Sequence, residues 1–406
     1  MKKSPSVLIV QRRLRSVSLF CRNFTAFCFR ITVFIIFSFI DVVRGHRVEK
    51  SAPRICLAQT TKVGDIVIFS SFLAVVYKLF PASEITLVVA PQVENLVELC
   101  PYVDEILYFD RDKYRWNLFY RLRFLSKLRR RNFDTAINCS FSRGIFLDEI
   151  VLLSGAKQTV AFYGESIYLT SLFWRLNNLL YDRVIKINSC VEIERYRELA
   201  IALGAKPDME MNSEVWISDD DRKYVGARLE GEMLTQKDIV VIAPCASEIM
   251  KRWPKEHFIT MCNLLAKHSV VFVFCGGMED KGYIDEILMK VSGGDAVNWA
   301  GKLTLRQVAA LMEKATLYIG NDTGLLHLAI AVGLPSVAIV GGGDYGRFLP
   351  YGKLPPSIAY HEMDCYGCRW RCIYGKPYCI TDISPQEIYQ IAVRLLEYRA
   401  SKVGNG

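Results

Sequence analysis

Outside its first 54 residues the sequence has no net charge, and within them it has almost no acid. Residues 1–54 hold 11 Lys/Arg and 2 Asp/Glu, and the remaining 40 of each sign cancel. This balance excludes a generally basic nucleic-acid-binding protein and leaves a neutral body with a basic amino-terminal segment. That segment also lacks a long uncharged run. Ile31–Ile40 gives only ten residues, and extending it back to Phe24 buries Arg30, which is too little to span a bilayer. Three placements stay open for residues 1–53. One is a basic, aromatic-rich stretch lying on an anionic membrane surface. Another is a packed extension. The third is a secretory signal, although no small-x-small cleavage site follows the apolar run. A disulfide framework is missing too: the 13 cysteines are odd in number. Cys56, Cys139 and Cys275 sit in strand-like runs, as reduced buried thiols do.

What is present is an alternation of short apolar runs, polar turns and helical patterns. The clearest unit is Ile319–Pro335. Leu317-Tyr318-Ile319 reads as a buried strand ending at Gly320. Asn321-Asp322-Thr323-Gly324 forms a polar turn, Leu325–Val332 an apolar helix, Gly333 its stop, and Ser336–Val340 a second strand. This is one βαβ unit whose turn lies at a strand's carboxyl end and a helix start. Free N–H groups and the helix dipole there favour an anion such as a phosphate. Simple capping of the helix by Asp322 or Thr323 is the alternative.

A similar unit opens the body. Arg54–Gln59 is a strand, Thr60–Asp65 a polar turn, Ile66–Phe80 a helix and Glu84–Val89 a strand. Gly64-Asp65 thus falls where a doubly wound domain puts its ligand-facing loop. Asp65 is either a helix-start carboxylate or a general base at the crevice. The region Arg111–Arg131 carries nine Lys/Arg and one acid. It reads as a core-packed helix with a solvated basic face, or as a surface for an anionic lipid or phosphorylated saccharide. Tyr168–Leu180, rich in Trp, Leu and Tyr, is a second candidate for a membrane- or acceptor-facing element.

The polar stretch Asp208–Asp238 reads as a crossing between domains. Ile239–Pro244 then starts a second strand–helix series. Ser247 and Lys251, at a strand-to-helix turn, are candidates for a diphosphate site, with a solvated Lys251-Arg252 pair as the alternative. Glu279, just past Gly276-Gly277, is a candidate acceptor for ribose hydroxyls. Cys365, Cys368, Cys372 and Cys379 lie within 15 residues. Four thiols so spaced can ligate Zn²⁺ as a closed structural site, although the usual doublet spacing is absent. Disulfides and unligated thiols stay open beside it.

Two βαβ-rich halves, each presenting a polar loop at strand ends, suggest an enzyme with its site in a cleft. The chain resembles the family-nine glycosyltransferases, the ADP-heptose:lipopolysaccharide heptosyltransferases and their relatives. The resemblance rests on Val63-Gly64-Asp65-Ile66-Val67, Lys251-Arg252-Trp253-Pro254 and Trp299-Ala300-Gly301-Lys302. It rests also on Asn321-Asp322-Thr323-Gly324 with His327-Leu328-Ala329, on Gly333-x-Pro335, on Tyr351-Gly352 and on the cysteine loop before Asp382-Ile383-Ser384-Pro385. It covers residues 54–397. It implies an α/β GT-B fold of two Rossmann-like domains: an acceptor domain at 54–215, a crossing at 216–237 and a nucleotide-sugar domain at 238–397 that includes the Cys-rich loop 363–380.

The resemblance further implies inverting sugar transfer with no obligatory metal. Asp65 would be the base, and Lys251 would neutralise the diphosphate. Asp322 would hold sugar hydroxyls, Thr323 and Gly324 would donate N–H groups to phosphate, and His327 would orient the loop. Ser247 and Glu279 would complete the donor site. The implied partners are a nucleotide-diphospho-sugar such as ADP-heptose, a phosphorylated glycolipid of the lipopolysaccharide core and a membrane surface, with no nucleic acid. The implied place is the cytoplasmic face of the bacterial inner membrane. A non-catalytic nucleotide-sugar-binding module and an epimerase of the same fold are the alternatives.

Overall fold

The computed structural model describes residues 5–44, 52–165 and 170–403, with side chains from 18–37, 52–165 and 170–398. Parts of the amino-terminal extension and of Tyr168–Leu180 therefore lie outside the described residues.

A helix of 40 residues, α1 (Pro5–Arg44), precedes the first domain. That domain follows as β1 (Arg54–Ala58), α2 (Val63–Leu79), β2 (Glu84–Val89), α3 (Glu94–Val97), β3 (Glu105–Tyr108), α4 (Arg111–Trp116) and α5 (Leu118–Arg129). It continues through β4 (Thr135–Asn138), α6 (Ile145–Leu152), β5 (Gln158–Phe162), α7 (Ser171–Leu180), β6 (Arg183–Ile185) and α8 (Glu192–Ala202). The sheet is parallel throughout, in the order β3-β2-β1-β4-β5-β6.

The stretch expected to be a plain crossing contains α9 (Asp219–Gly231), started by a capping box between Ser218 and Asp221. Its buried Val225 and Leu229 are one turn apart, and the helix packs on the second domain. Four apolar residues in 13, Tyr224, Val225, Ala227 and Leu229, are too few to announce an amphipathic helix, which is why the polar sequence reads as a crossing.

The second domain runs β7 (Asp238–Ala243), α10 (Lys255–Leu265), β8 (Val270–Phe274), α11 (Lys281–Leu288), β9 (Asp295–Asn298), α12 (Leu305–Lys314) and β10 (Leu317–Asn321). It ends with α13 (Gly324–Val332), β11 (Ser336–Ile339), β12 (Ser357–Ala359), α14 (Tyr378–Thr381) and α15 (Pro385–Val403). Its sheet order is β12-β11-β10-β7-β8-β9, again all parallel. Each sheet thus winds outward from its first strand in both directions. The order reverses between β1 and β4, and between β7 and β10. Such switch points open a crevice beyond the strands' carboxyl ends, where ligands bind.

α2 joins the halves. Its residues from Ile66 to Val76 are all buried, because one side lies on the first sheet and the other meets α13. A helix apolar all round is one enclosed on all sides. The largest core runs through both domains by way of α2, α8, α12 and α13. Separate cores fill the outer faces of the first and second sheets.

Candidate active site

The loops after β1, β7 and β10 converge where the two domains meet. Gly64 and Gly324 allow this approach. A Cβ on Gly64 would lie 2.5 Å from His327 Cδ2, and one on Gly324 would lie 2.8 Å from Val63 Cγ1. The amino-terminal tips of α2 and α13 therefore touch, and Asp65 is brought to the Asp322–Gly324 loop.

Asp65 lies in the first turn of α2, partly open to the cleft. Burial is the chief cause that pushes its carboxyl up to about 6, and the nearby Glu192 carboxylate adds to it. Arg347, His327 and the Lys62 backbone pull the other way. A carboxylate so tuned is ionised at neutral pH yet basic enough to accept a proton.

Across the cleft, Asp322 is one-tenth exposed, with Lys251 Nζ at 3.7 Å and His327 Nε2 at 3.7 Å. Burial disfavours its charge, but the His327 hydrogen bond and Lys251 outweigh it and hold the carboxyl below its ordinary value. His327 is oriented from behind: its Nδ1 is 2.8 Å from the buried Tyr351 hydroxyl, and the two rings stack. Capping, the simpler reading of the Asp322-Thr323 turn, is not realised. Thr323 takes the N-cap position but makes no side-chain cap bond, and the Asp322 carboxylate turns to Lys251 and His327 instead. The start of α13 thus keeps its dipole and first N–H groups turned toward the cleft.

The remaining expected residues divide. Lys251 belongs to the cluster. Ser247 stands exposed at the cleft edge, where its hydroxyl oxygen accepts from Lys62 Nζ of the first domain at 3.3 Å. Glu279 is exposed beyond β8, folded over Gly277, and no ion pair or hydrogen bond among the described residues joins it to Lys251 or Asp322.

Four further residues belong here. Asn321, fully buried, accepts from Trp253 N at 3.0 Å and donates to Pro244 O at 2.8 Å. It ties the Lys251–Pro254 segment and the end of β7 to the Asp322 loop. Asp344 lies 3.6 Å from Lys251 Nζ and accepts from Trp370 Nε1 at 2.7 Å, while Lys251 sits over the Trp370 ring. Arg347 reaches from the second domain to Glu192 (3.2 Å) and Ser142 (3.1 Å) of the first.

Zinc, disulfides and unligated thiols are the three readings open for the cysteine loop. Among the described residues no three or more His, Cys, Asp or Glu side chains gather to hold a metal ion, and all four cysteines are free thiols. Burial chiefly raises the Cys379 thiol above its ordinary value; the Gly342 backbone hydrogen bond opposes this and the other three thiols add to it. Cys372 Sγ donates to Lys376 O at 3.1 Å. Packing accounts for the loop's shape: Tyr366 lies on Gly342, and Trp370 on Gly341 and Gly343, where any Cβ would collide. The loop thereby braces the Gly341–Arg347 segment that carries Asp344 and Arg347.

Two matched switch points thus set the Asp65 carboxylate of one domain against a cationic, helix-started pocket of the other. The sequence profile of Glycosyltransferase family 9 (heptosyltransferase) matches residues 121–373, more than half of the chain. The chain belongs to glycosyltransferase family 9. This transferase is 23% identical, over 330 residues, to lipopolysaccharide core heptosyltransferase OpsX of Haemophilus influenzae, covering 80% of this chain and 88% of that one. Its fold matches a family 9 glycosyl transferase from Veillonella parvula with a TM-score of 0.73 at 19% identity, covering 87% of this chain and 100% of that one. It also matches the E. coli heptosyltransferase WaaC with ADP-2-deoxy-2-fluoro heptose, with a TM-score of 0.62 at 18% identity, over 84% of this chain and 99% of that one. The transferase thus has the GT-B architecture expected from its motifs.

Proposed function

We propose that this glycosyltransferase moves a heptose, or a closely related sugar, from ADP-heptose or a similar nucleotide-diphospho-sugar to the lipopolysaccharide core or a related surface glycolipid. The observation that carries the reading is the meeting of the α2 and α13 tips. It sets Asp65 against the Lys251–Asp322–His327 cluster from two different domains.

In this reading Asp65 takes the proton of an acceptor hydroxyl. The freed oxygen attacks the anomeric carbon from the face opposite the diphosphate, and the carbon–oxygen bond to phosphate breaks with inversion. Negative charge grows on the leaving diphosphate. Lys251 and the N–H groups of Thr323 and Gly324 are fixed where that charge develops, so they stabilise the transition state more than the ground state. Asp322, held ionised and oriented, accepts hydrogen bonds from donor sugar hydroxyls. Ser247 and Glu279 take the periphery of the donor site, toward phosphate and ribose. Transfer occurs at the cytoplasmic face of the bacterial inner membrane. The heptosyltransferase profile and relatives favour this over a non-catalytic nucleotide-sugar module or an epimerase.

The test is incubation with ADP-heptose and a heptose-deficient core glycolipid. ADP release should accompany a product heavier by one heptose and should require the acceptor. ADP-heptose consumption without acceptor, or no transfer to the core glycolipid from any nucleotide-diphospho-sugar, would overturn the reading.

A further inference from the structure

α1 has two unlike faces, one against the protein body and one turned outward. Its inner face, Asn23, Ala26, Arg30 and Val33, is buried at helical spacing against α6 and α7. Phe20, Phe24 and Phe27 pack around Phe173 of α7, and Asn23 accepts from Thr170 N at 2.9 Å. The outer face presents Phe24, Ile31, Phe34, Ile35 and Ile36, each between 38 and 61% exposed. The only charges from Ser18 to Phe37 are Arg22 and Arg30, and Arg30 is turned inward at 3% exposure. Long and apolar enough in this window to cross a membrane, the helix instead lies along the protein body.

The apolar face continues onto α4 and α5. Trp116, Leu118 and Phe119 are 77, 58 and 74% exposed. Between α1 and α5 runs a groove of about 750 Å³, floored by Val33, Ile36, Phe37, Phe119 and Leu122. Its rim is cationic. Arg123, Lys127 and Arg130 line it and make no ion pair with a described carboxylate. At the other end burial chiefly, then the charges of Arg115 and Arg111, depress the proton affinity of Arg22. Gathered guanidinium groups around an apolar floor repel one another until anions arrive. Acyl chains against the floor and phosphates on the rim satisfy both chemistries.

We infer that the α1–α4–α5 face is where the transferase sits on an anionic phospholipid bilayer, with α1 lying in the membrane plane rather than crossing it. The inference deepens the proposed membrane-side function, on which it rests, by naming the surface that meets the lipid. That surface is on the outer face of the first sheet, opposite the side that meets the second domain. Bilayer contact there leaves the donor domain free to open and close.

Full-length protein sedimented with phosphatidylcholine vesicles, with and without phosphatidylglycerol, tests this. Binding should require phosphatidylglycerol, weaken at high salt and be released by alkaline carbonate. Reversing three rim charges (Arg123→Glu, Lys127→Glu, Arg130→Glu) should lower affinity by roughly a hundred-fold or more, given the contribution of each surface cation. Lys223→Glu on α9 should not. Phe119→Ser should weaken vesicle binding while the thermal midpoint holds, so that loss of binding is not loss of fold. Equal binding to neutral vesicles, full binding by the triple variant, or resistance to carbonate would overturn the inference. So would a lipid-free dimer that the triple variant abolishes, since a second copy would then own the face. Transfer to a deacylated, water-soluble acceptor reads the chemistry separately. It should persist in the triple variant, and its absence in the wild type would count against the proposed function and not against the docking surface.

Discussion

Asp65 sits among groups that pull its proton affinity in opposite directions. Burial and Glu192 raise it; Arg347, His327 and a backbone N–H lower it, leaving the carboxyl at about 6. Two outcomes follow from one number. First, kcat/KM for transfer should fall as pH drops through about 6, and Asp65→Asn should lose roughly 10²- to 10⁴-fold in rate while donor binding persists. Steady-state kinetics with calorimetric titration of the donor checks both, and full activity in the Asp65→Asn variant would remove Asp65 from the base role. Second, the folded pKa lies above the unfolded value of about 4, so the native state binds the extra proton between those values. Stability from this group is present at low pH and declines as pH rises through about 6. Asp65→Asn should therefore raise the thermal midpoint at pH 7 to 8, by a free energy of at most about 3 kcal/mol at ~1.4 kcal/mol per unit. The gain should vanish toward pH 4.

The turns around this carboxylate are held by elements more than by individual contacts. Asn321 closes two backbone groups of the Lys251 segment and the β7 end from inside the protein. Asn321→Leu should leave the Trp253 N–H and Pro244 C=O unpaired, at a cost of roughly 1–3 kcal/mol for each group, read by urea unfolding. Donor affinity should fall with it, because Lys251 loses its anchor. Gly64→Ala should act differently. Its Cβ would press on His327, so the α2 and α13 tips must separate. Activity should collapse with a much smaller change in denaturation midpoint, and a Gly64→Ala variant that is active and fully stable would show that the tips need not touch.

These two turns were also the most legible parts of the chain. Each is a short apolar run, a polar turn and an apolar helix, so local pattern and tertiary role coincide. The edge strands Arg183–Ile185, Asp295–Asn298 and Ser357–Ala359 were not legible. With three or four half-buried residues, they carry no apolar run to read. Asp344 and Arg347 were missed for another reason. They follow a glycine run whose path is set by Tyr366 and Trp370, some 20 residues later in sequence. The spacing of Cys365, Cys368, Cys372 and Cys379 leaves metal, disulfides and free thiols open, and it gives no hint of the ring packing on Gly341–Gly343 that shapes the loop.

At the scale of the whole molecule, the charge on Asp65 depends on how the two domains sit. The groups acting on Asp65 come from several elements: Glu192 from α8, Arg347 from the loop after β11, His327 from α13 and Lys62 from its own turn. Only His327 and Arg347 belong to the second domain, and both lower the Asp65 pKa. Arg347 also bonds Glu192 and Ser142, while Arg369 pairs with Glu165 at 2.6 Å and Arg306 with Glu98, all across the interface. Opening the cleft would withdraw the Arg347 and His327 influences, which lower the carboxyl, together with the burial that is the chief cause of its rise, so the two changes oppose one another. Arg347→Gln should shift the acidic limb of kcat/KM upward by roughly half a unit to one unit, with Arg347→Lys restoring much of it. An unmoved limb together with a raised acceptor KM would instead assign Arg347 to acceptor binding. Small-angle scattering separates a third case, since a variant that merely falls open should expand in solution and contract again when ADP-heptose is added.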